Sequence, residues 1–169
     1  MNKFVHGKGN KNARIMIIGE APGTNEVEKE EPFVGKSGKT LDKWLQKLGL
    51  KREDLYITNV FKEKTPGNRK PTKDELKAHN AFLMAELFAV KPKIIFCLGV
   101  TATETLFQKQ ISLGQAIGMI NTLEFYGNET YVIPLYHPSY ASRFKKLDEV
   151  DEILERLVEG NIIERLLKA

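Results

Sequence analysis

The chain has 169 residues, 41% hydrophobic and 28% charged, with a formal net charge of +4 and one cysteine, Cys97. These are the proportions of a soluble globular protein, and a chain of this length buries roughly two-thirds of its unfolded surface, so one domain over residues 1–169 is expected. A disulfide framework is excluded, no apolar run reaches a membrane span, and the basic N-terminus lacks the apolar stretch of a secretory signal, so an intracellular, cytoplasmic setting is expected. The charge is unevenly spread: residues 147–169 hold seven acids against three bases, and the rest of the chain holds 23 bases and 15 acids. A basic main body suits a polyanionic partner, although a lysine- and glutamate-rich surface of the kind found in heat-stable proteins has the same composition.

The first apolar, β-branched run is "RIMIIGE" at 14–20. It reads as a strand buried on both faces. "EEPFVGKSGKTLDKW" at 30–44 invites comparison with a phosphate-binding loop, which needs a glycine five residues before its Gly-Lys pair. The residue five before Gly38 is Phe33, and five before Gly35 stands Glu30, so the spacing fails. The same segment opens a helix with Leu41, Trp44, Leu45 and Leu48 on one face and Gly49 as its stop.

A second strand follows in "DLYITNVF" at 54–61, then an irregular loop, "KEKTPGNRKPT". Thr72 and Glu75 form a capping box for a helix with Leu76, Asn80, Leu83 and Leu87 in register. "KIIFCLG" at 93–99 is the third strand, and Thr101 with Glu104 repeats the box in "VTATETLF". "LEFYGNETYVI" reads as a hairpin turning at Gly127–Asn128 and feeding the last strand, "TYVIPLYH" at 130–137. A tail helix carries Val150, Ile153, Leu154, Leu157 and Val158, with a break expected near Gly160. This alternation predicts a three-layer α/β/α sandwich around a central, mainly parallel four-stranded sheet.

In such a sheet, functional groups gather beyond the carboxyl ends of the strands. Those ends read "GEAPG", "TNV", "LGVTAT" and "YHPSY". Three of them carry residues able to read a base or assist bond cleavage: Glu20, Asn59 and His137.

Five motifs occur in order over about residues 13–145: "GEAPG" (19–23), "PFVGKSGKTL" (32–41), "YITNV" (56–60), "GNRKPTKDEL" (67–76) and "HPSY" (137–140). This ordered set resembles the uracil-DNA glycosylase superfamily, and it is most similar to the thermostable iron–sulfur branch known as family 4. The resemblance implies a DNA repair enzyme that flips a base out of the stack and hydrolyses its bond to C1′, leaving an abasic site. It implies catalytic roles for Glu20, which would orient water and stabilise the sugar cation, and for His137, which would donate to uracil O2 as negative charge builds there.

By the same resemblance, Phe33 would stack on the flipped base, and Asn59 would pair with uracil O4 and N3–H. Backbone groups around Ala21 and Gly23 would line the pocket, and Ser139 would bind nearby. Lys36, Ser37, Lys39, Tyr140, Ser142 and Arg143 would contact DNA. On residue type alone Phe33 reads as a core aromatic, and its loop setting between Pro32 and "VGKSG" turns the reading to stacking; Ser37 reads equally as a helix N-cap, and Glu26 as a second carboxylate that either assists or is simply solvated.

The chain departs from family 4 in its cysteines. The resemblance implies four, two before the first strand and two beyond it, and the latter positions fall near Glu63 and His79. Cys97 lies inside a strand and reads as a small buried hydrophobe. His6, Glu63 and His79 are the only other candidates for a metal, and their spacing does not support one. No metal or cofactor is expected. Packing with the N-terminal arm is expected to take over the cluster's structural role. The expected partner is DNA carrying uracil or another deaminated base such as hypoxanthine, and the expected state is a monomer. A non-catalytic protein that binds damaged DNA is the competing reading.

Overall fold

A computed structural model describes residues 3–169. The first half of the chain forms β1 (Lys8–Gly9), β2 (Ile15–Gly19), α1 (Thr24–Lys29), α2 (Lys36–Lys47) and β3 (Tyr56–Asn59). Then come α3 (Lys73–Val90), β4 (Ile94–Leu98), α4 (Val100–Phe107) and the single-turn α5 (Leu113–Ala116). A hairpin of β5 (Asn121–Phe125) and β6 (Asn128–Leu135) precedes α6 (Pro138–Arg143), α7 (Leu147–Glu159) and α8 (Ile162–Lys168).

Among the described residues six strands form one sheet, in the order β1-β3-β2-β4-β6-β5. The four expected strands are its parallel centre, and β1 and β5 extend it with antiparallel edges. The expected count of four is thus corrected to six. β1 is two residues, Lys8 and Gly9, pairing with Ile57 and Tyr56, and so short a segment has no periodicity to read. The hairpin turns on Tyr126 (φ 53) and Gly127 (φ 80), one residue earlier than expected. Two successive positive φ values are what a two-residue turn between twisted strands requires.

Alternate side chains of the central strands build two cores. Ile15, Ile17 and Ile57 pack with Leu41, Trp44 and Leu45 of α2 and with Val150, Ile153 and Leu154 of α7. Met16, Ile18, Ile95 and Cys97 pack on the other face with Leu83 and Leu87 of α3 and Ala102 and Leu106 of α4. The sandwich has the three expected layers.

Two helical readings are corrected. The buried stripe of α3 is His79, Leu83, Leu87 and Val90, whereas Asn80 is exposed. In α4 the N-cap is Gly99 and the Thr101–Glu104 box does not form. The box at Thr72 and Glu75 forms with both of its hydrogen bonds. The tail breaks at Gly160 and Asn161, and α8 begins at Ile162. No helix among the described residues is long and apolar enough to cross a membrane.

Connections from β2 run to β3 on one side, and the chain returns to β4 on the other. The crevice at that reversal, above the carboxyl ends of β2 and β4, is where an open α/β sheet places its ligand.

Candidate active site

A cavity of about 700 Å³ opens at that crevice. Glu20, Ala21, Gly23, Phe33, Ser37, Asn59, His137, Ser139, Tyr140 and Arg143 all line it. Of the expected site residues only Lys36, Lys39 and Ser142 stand outside the lining, and all three are exposed. Lys36 and Lys39 lie in the first turns of α2, beside Ser37. The N-cap of that helix is Gly35, so Ser37 is not the cap.

The floor depends on close approach. A Cβ on Gly19, at the end of β2, would lie 2.5 Å from Phe33 Cζ and 2.6 Å from Asn59 Oδ1. Only glycine lets those two side chains meet there. Phe33 itself has a φ of 53, which a bulky residue adopts only when its surroundings impose it. The imposing contacts surround it on three sides. Glu26 accepts backbone N–H bonds from Val34 (2.9 Å) and Gly35 (2.7 Å) as well as from Gly23 (2.9 Å). Arg52 donates to the carbonyls of Pro32 and Phe33. On the third side, α2 passes so close at Gly38 that a Cβ there would lie 2.0 Å from Phe33 O.

Glu26 is not simply solvated: its carboxylate clamps the pocket loop and also lines the cavity. The Gly23 N–H is engaged by that clamp. Phe33 lies within the core, as one reading had it, and its ring also lines the cavity. Gly38→Ala is expected to displace the Phe33 loop. Because backbone rather than a flexible side chain opposes the new methyl, a cost of about 1–3 kcal/mol follows, read as a lower Tm together with weaker binding of substrate analogues.

Asn59 ends β3 and is 3% exposed, yet its Oδ1 has no hydrogen-bond partner among the described residues. A buried acceptor left open costs about 1–3 kcal/mol. His137 lines the same cavity, and its ring stacks on Phe33 at 5.7 Å between centroids. His137 caps α6: Nδ1 accepts from the Ser139 backbone N–H (3.2 Å) and pairs with Ser139 Oγ (2.8 Å). An Nδ1 that accepts leaves the proton of the neutral ring on Nε2. Burial pulls the His137 pKa down to about 4, against a smaller opposing pull from the Glu26 charge. The ring is therefore a neutral N–H donor at physiological pH.

Glu20 follows β2 directly, and its Oε2 accepts a hydrogen bond from Thr101 Oγ1 at 2.6 Å. Thr101 was missed as a site residue, because its spacing to Glu104 pointed to a cap. Also missed were Thr65 and Asn68 from the irregular loop, Tyr136, and Lys146 on the rim. The pair of prolines and the run of bases in that loop marked it as irregular without saying where it would fold.

Where the resemblance places two cluster cysteines, Glu63 Oε2 and His79 Nε2 hydrogen bond to each other at 3.1 Å. His79 Nδ1 accepts the Lys62 backbone N–H at 3.0 Å. Phe4, Phe61 and Phe82 pack around the imidazole, and Phe4 in turn contacts His6. No group of three potential metal ligands is present among the described residues. Cys97 is fully buried in β4, where burial pushes its thiol up to about 12 and so keeps it protonated. The donor set of this chain does not fit a four-cysteine iron–sulfur cluster.

The family model described as the uracil DNA glycosylase superfamily matches residues 6–158. A type-4 uracil-DNA glycosylase of Archaeoglobus fulgidus is 39% identical over 162 residues, covering 87% of this chain and 81% of that protein. The type-4 enzyme of Saccharolobus solfataricus is 43% identical over 142 residues, covering 81% of this chain and 66% of the relative. That of Thermotoga maritima is 40% identical over 140 residues, covering 82% and 71%. With the family model matching most of its length and such relatives at this identity, the chain belongs to the uracil DNA glycosylase superfamily.

Proposed function

We propose that this protein is a monofunctional DNA glycosylase of base-excision repair. It removes uracil from DNA by hydrolysing the bond between uracil N1 and C1′ of deoxyribose. The observation that carries the reading is the open acceptor of Asn59, buried at the floor of a cavity beside Phe33 and a neutral His137 donor.

The flipped base enters this cavity and lies against the Phe33 ring. Asn59 Oδ1 accepts the uracil N3–H, and its amide N–H donates to O4. Cytosine presents the opposite pattern, an acceptor at N3 and an amino donor at C4, so each contact turns repulsive. His137 Nε2–H donates to O2. As the C1′–N1 bond breaks, its electron pair leaves with the base, and the charge on O2 strengthens that bond. Positive charge builds on the sugar, where the Glu20 carboxylate stabilises it and orients the water whose oxygen bonds to C1′; the proton that this water gives up balances the charge of the departed uracil anion. Lys36, Ser37, Lys39, Tyr140, Ser142 and Arg143 hold the flanking strand at the rim. The reading extends to a monomer of one domain acting on intracellular DNA.

The test is a panel of oligonucleotides carrying uracil, hypoxanthine, xanthine or a thymine mismatch, scored for abasic sites. Wild type is expected to release uracil. Asn59→Ala is expected to lower uracil kcat/KM by about 10²-fold, in line with two buried hydrogen bonds, and to narrow its preference over cytosine. Release of hypoxanthine but not uracil would assign the pocket to another base. DNA binding without any release would make the protein a non-catalytic reader.

A further inference from the structure

Helix α4 carries threonines at 101, 103 and 105. Two of them behave as threonines do inside a helix, donating to the carbonyl four residues back. Thr103 Oγ1 reaches Gly99 O at 2.8 Å, and Thr105 Oγ1 reaches Thr101 O at 2.7 Å. Thr101 departs from this pattern. Its hydroxyl donates to Glu20 Oε2 at 2.6 Å, a partner 81 positions away.

This bond lies in the range of short, charge-assisted O–H···O⁻ contacts. Thr101 is 2% exposed, so water does not compete for its proton. A hydroxyl has one proton to give. Engaging it on Oε2 sets the rotation of the Glu20 carboxylate and leaves Oε1 to a water or to the sugar. The donor also sits on a rigid mount, since α4 starts directly after β4, packs on the sheet through Ala102 and Leu106, and has the Thr101 carbonyl tied down by Thr105. The Glu20 backbone is fixed at the end of β2, where its carbonyl accepts the Phe61 N–H at 2.9 Å, and Thr101 supplies the fixed partner for its side chain.

We propose that Thr101 is a positioning residue for the reaction, holding the Glu20 carboxylate in the orientation from which it addresses the attacking water and the sugar cation. The proposal rests on the glycosylase reading above. The alignment of a reacting group contributes steeply to rate, and here it comes from the opposite side of the crevice.

The experiment is single-turnover uracil release by wild type, Thr101→Val, Thr101→Ser and Thr101→Ala, each also in a Glu20→Ala background, with Tm measured for every variant. Thr101→Val, which keeps the shape and removes the donor, is expected to lower the catalytic rate about tenfold with KM within about twofold of wild type. Thr101→Ser restores the hydroxyl and is expected to restore the rate. In the Glu20→Ala background, Thr101→Val is expected to change nothing further. Three results would each overturn the proposal: an unchanged rate in Thr101→Val, failure of serine to rescue, or an equal loss without Glu20. Should valine lower the Tm, the gap between Thr101→Ser and Thr101→Ala at a temperature where both are folded decides the matter. A wild type that releases no uracil overturns the glycosylase reading itself, whereas an active wild type with an unaffected Thr101→Val overturns only this role.

Discussion

His137→Ala is expected to lower the rate of uracil release by about 10²–10³-fold, the scale found for removal of one preorganised donor to a developing oxyanion. The loss should fall on kcat more than on KM, because the bond to O2 is strongest after the glycosidic bond has begun to break. The geometry makes the donor specific. Nδ1 is occupied by the Ser139 backbone N–H and hydroxyl, so Nε2–H is the donor left for a base. Nitrogen NMR of the ring should show a neutral Nε2–H tautomer at pH 7.

The pH dependence has a definite sign. The folded pKa of about 4 lies below the ordinary 6.5. Between those values the unfolded chain takes up a proton that the folded chain does not, so lowering the pH favours unfolding. This residue's contribution is fully present above about 6.5 and is lost as pH falls toward 4. The Tm of His137→Ala is therefore expected to fall less steeply than that of wild type across that window. Parallel Tm curves would show that His137 is not buried neutral.

Which features were legible follows from how local their causes are. The four parallel strands announced themselves because a strand buried on both faces must be apolar along its length, as in "RIMII" and "KIIFCL". Glu20, Asn59 and His137 were legible because the sheet places functional groups at strand ends, and the structure brings all three to one cavity. Contacts made across the fold left no such mark. Thr101 has the spacing of a capping residue, but its hydroxyl has a carboxylate 81 positions away to satisfy. Glu26 stands among solvated acids in the sequence, yet three backbone amides converge on it. One position of the α3 stripe was misread, Asn80 for His79, because both sit at helical spacing from Leu76 and Leu83 and the three phenylalanines that bury the imidazole come together only in the fold.

Glu86→Leu is expected to destabilise the protein by about 3–5 kcal/mol, the usual result of removing one partner of a buried ion pair. The Lys62 side chain is 1% exposed, and its ammonium donates to Glu86, to Thr58 Oγ1 (2.6 Å) and to Asn59 O (2.6 Å). Tyr56 OH donates to the other Glu86 oxygen at 2.8 Å. Burial draws the Lys62 pKa down and Glu86 opposes that pull, so loss of Glu86 leaves a cation with only neutral partners. At about 2–4 °C per kcal/mol for a protein of this size, the Tm should drop by roughly 6–20 °C. Lys62→Met combined with Glu86→Leu removes both charges and should recover most of that loss. A double variant as unstable as the single one would show that the contacts to Thr58 and Asn59, not the ion pair, hold this region. The network matters for function because it ends on the backbone of Asn59, the residue proposed to read the base. It adjoins the Glu63–His79 pair, where the resemblance to family 4 puts metal ligands. The end of β3 is held by a buried lysine and by an imidazole packed among Phe4, Phe61 and Phe82. The expected signature of Glu86→Leu at temperatures where it stays folded is a raised KM for uracil DNA with kcat nearly kept, since Asn59 loses its support while Glu20 and His137 do not.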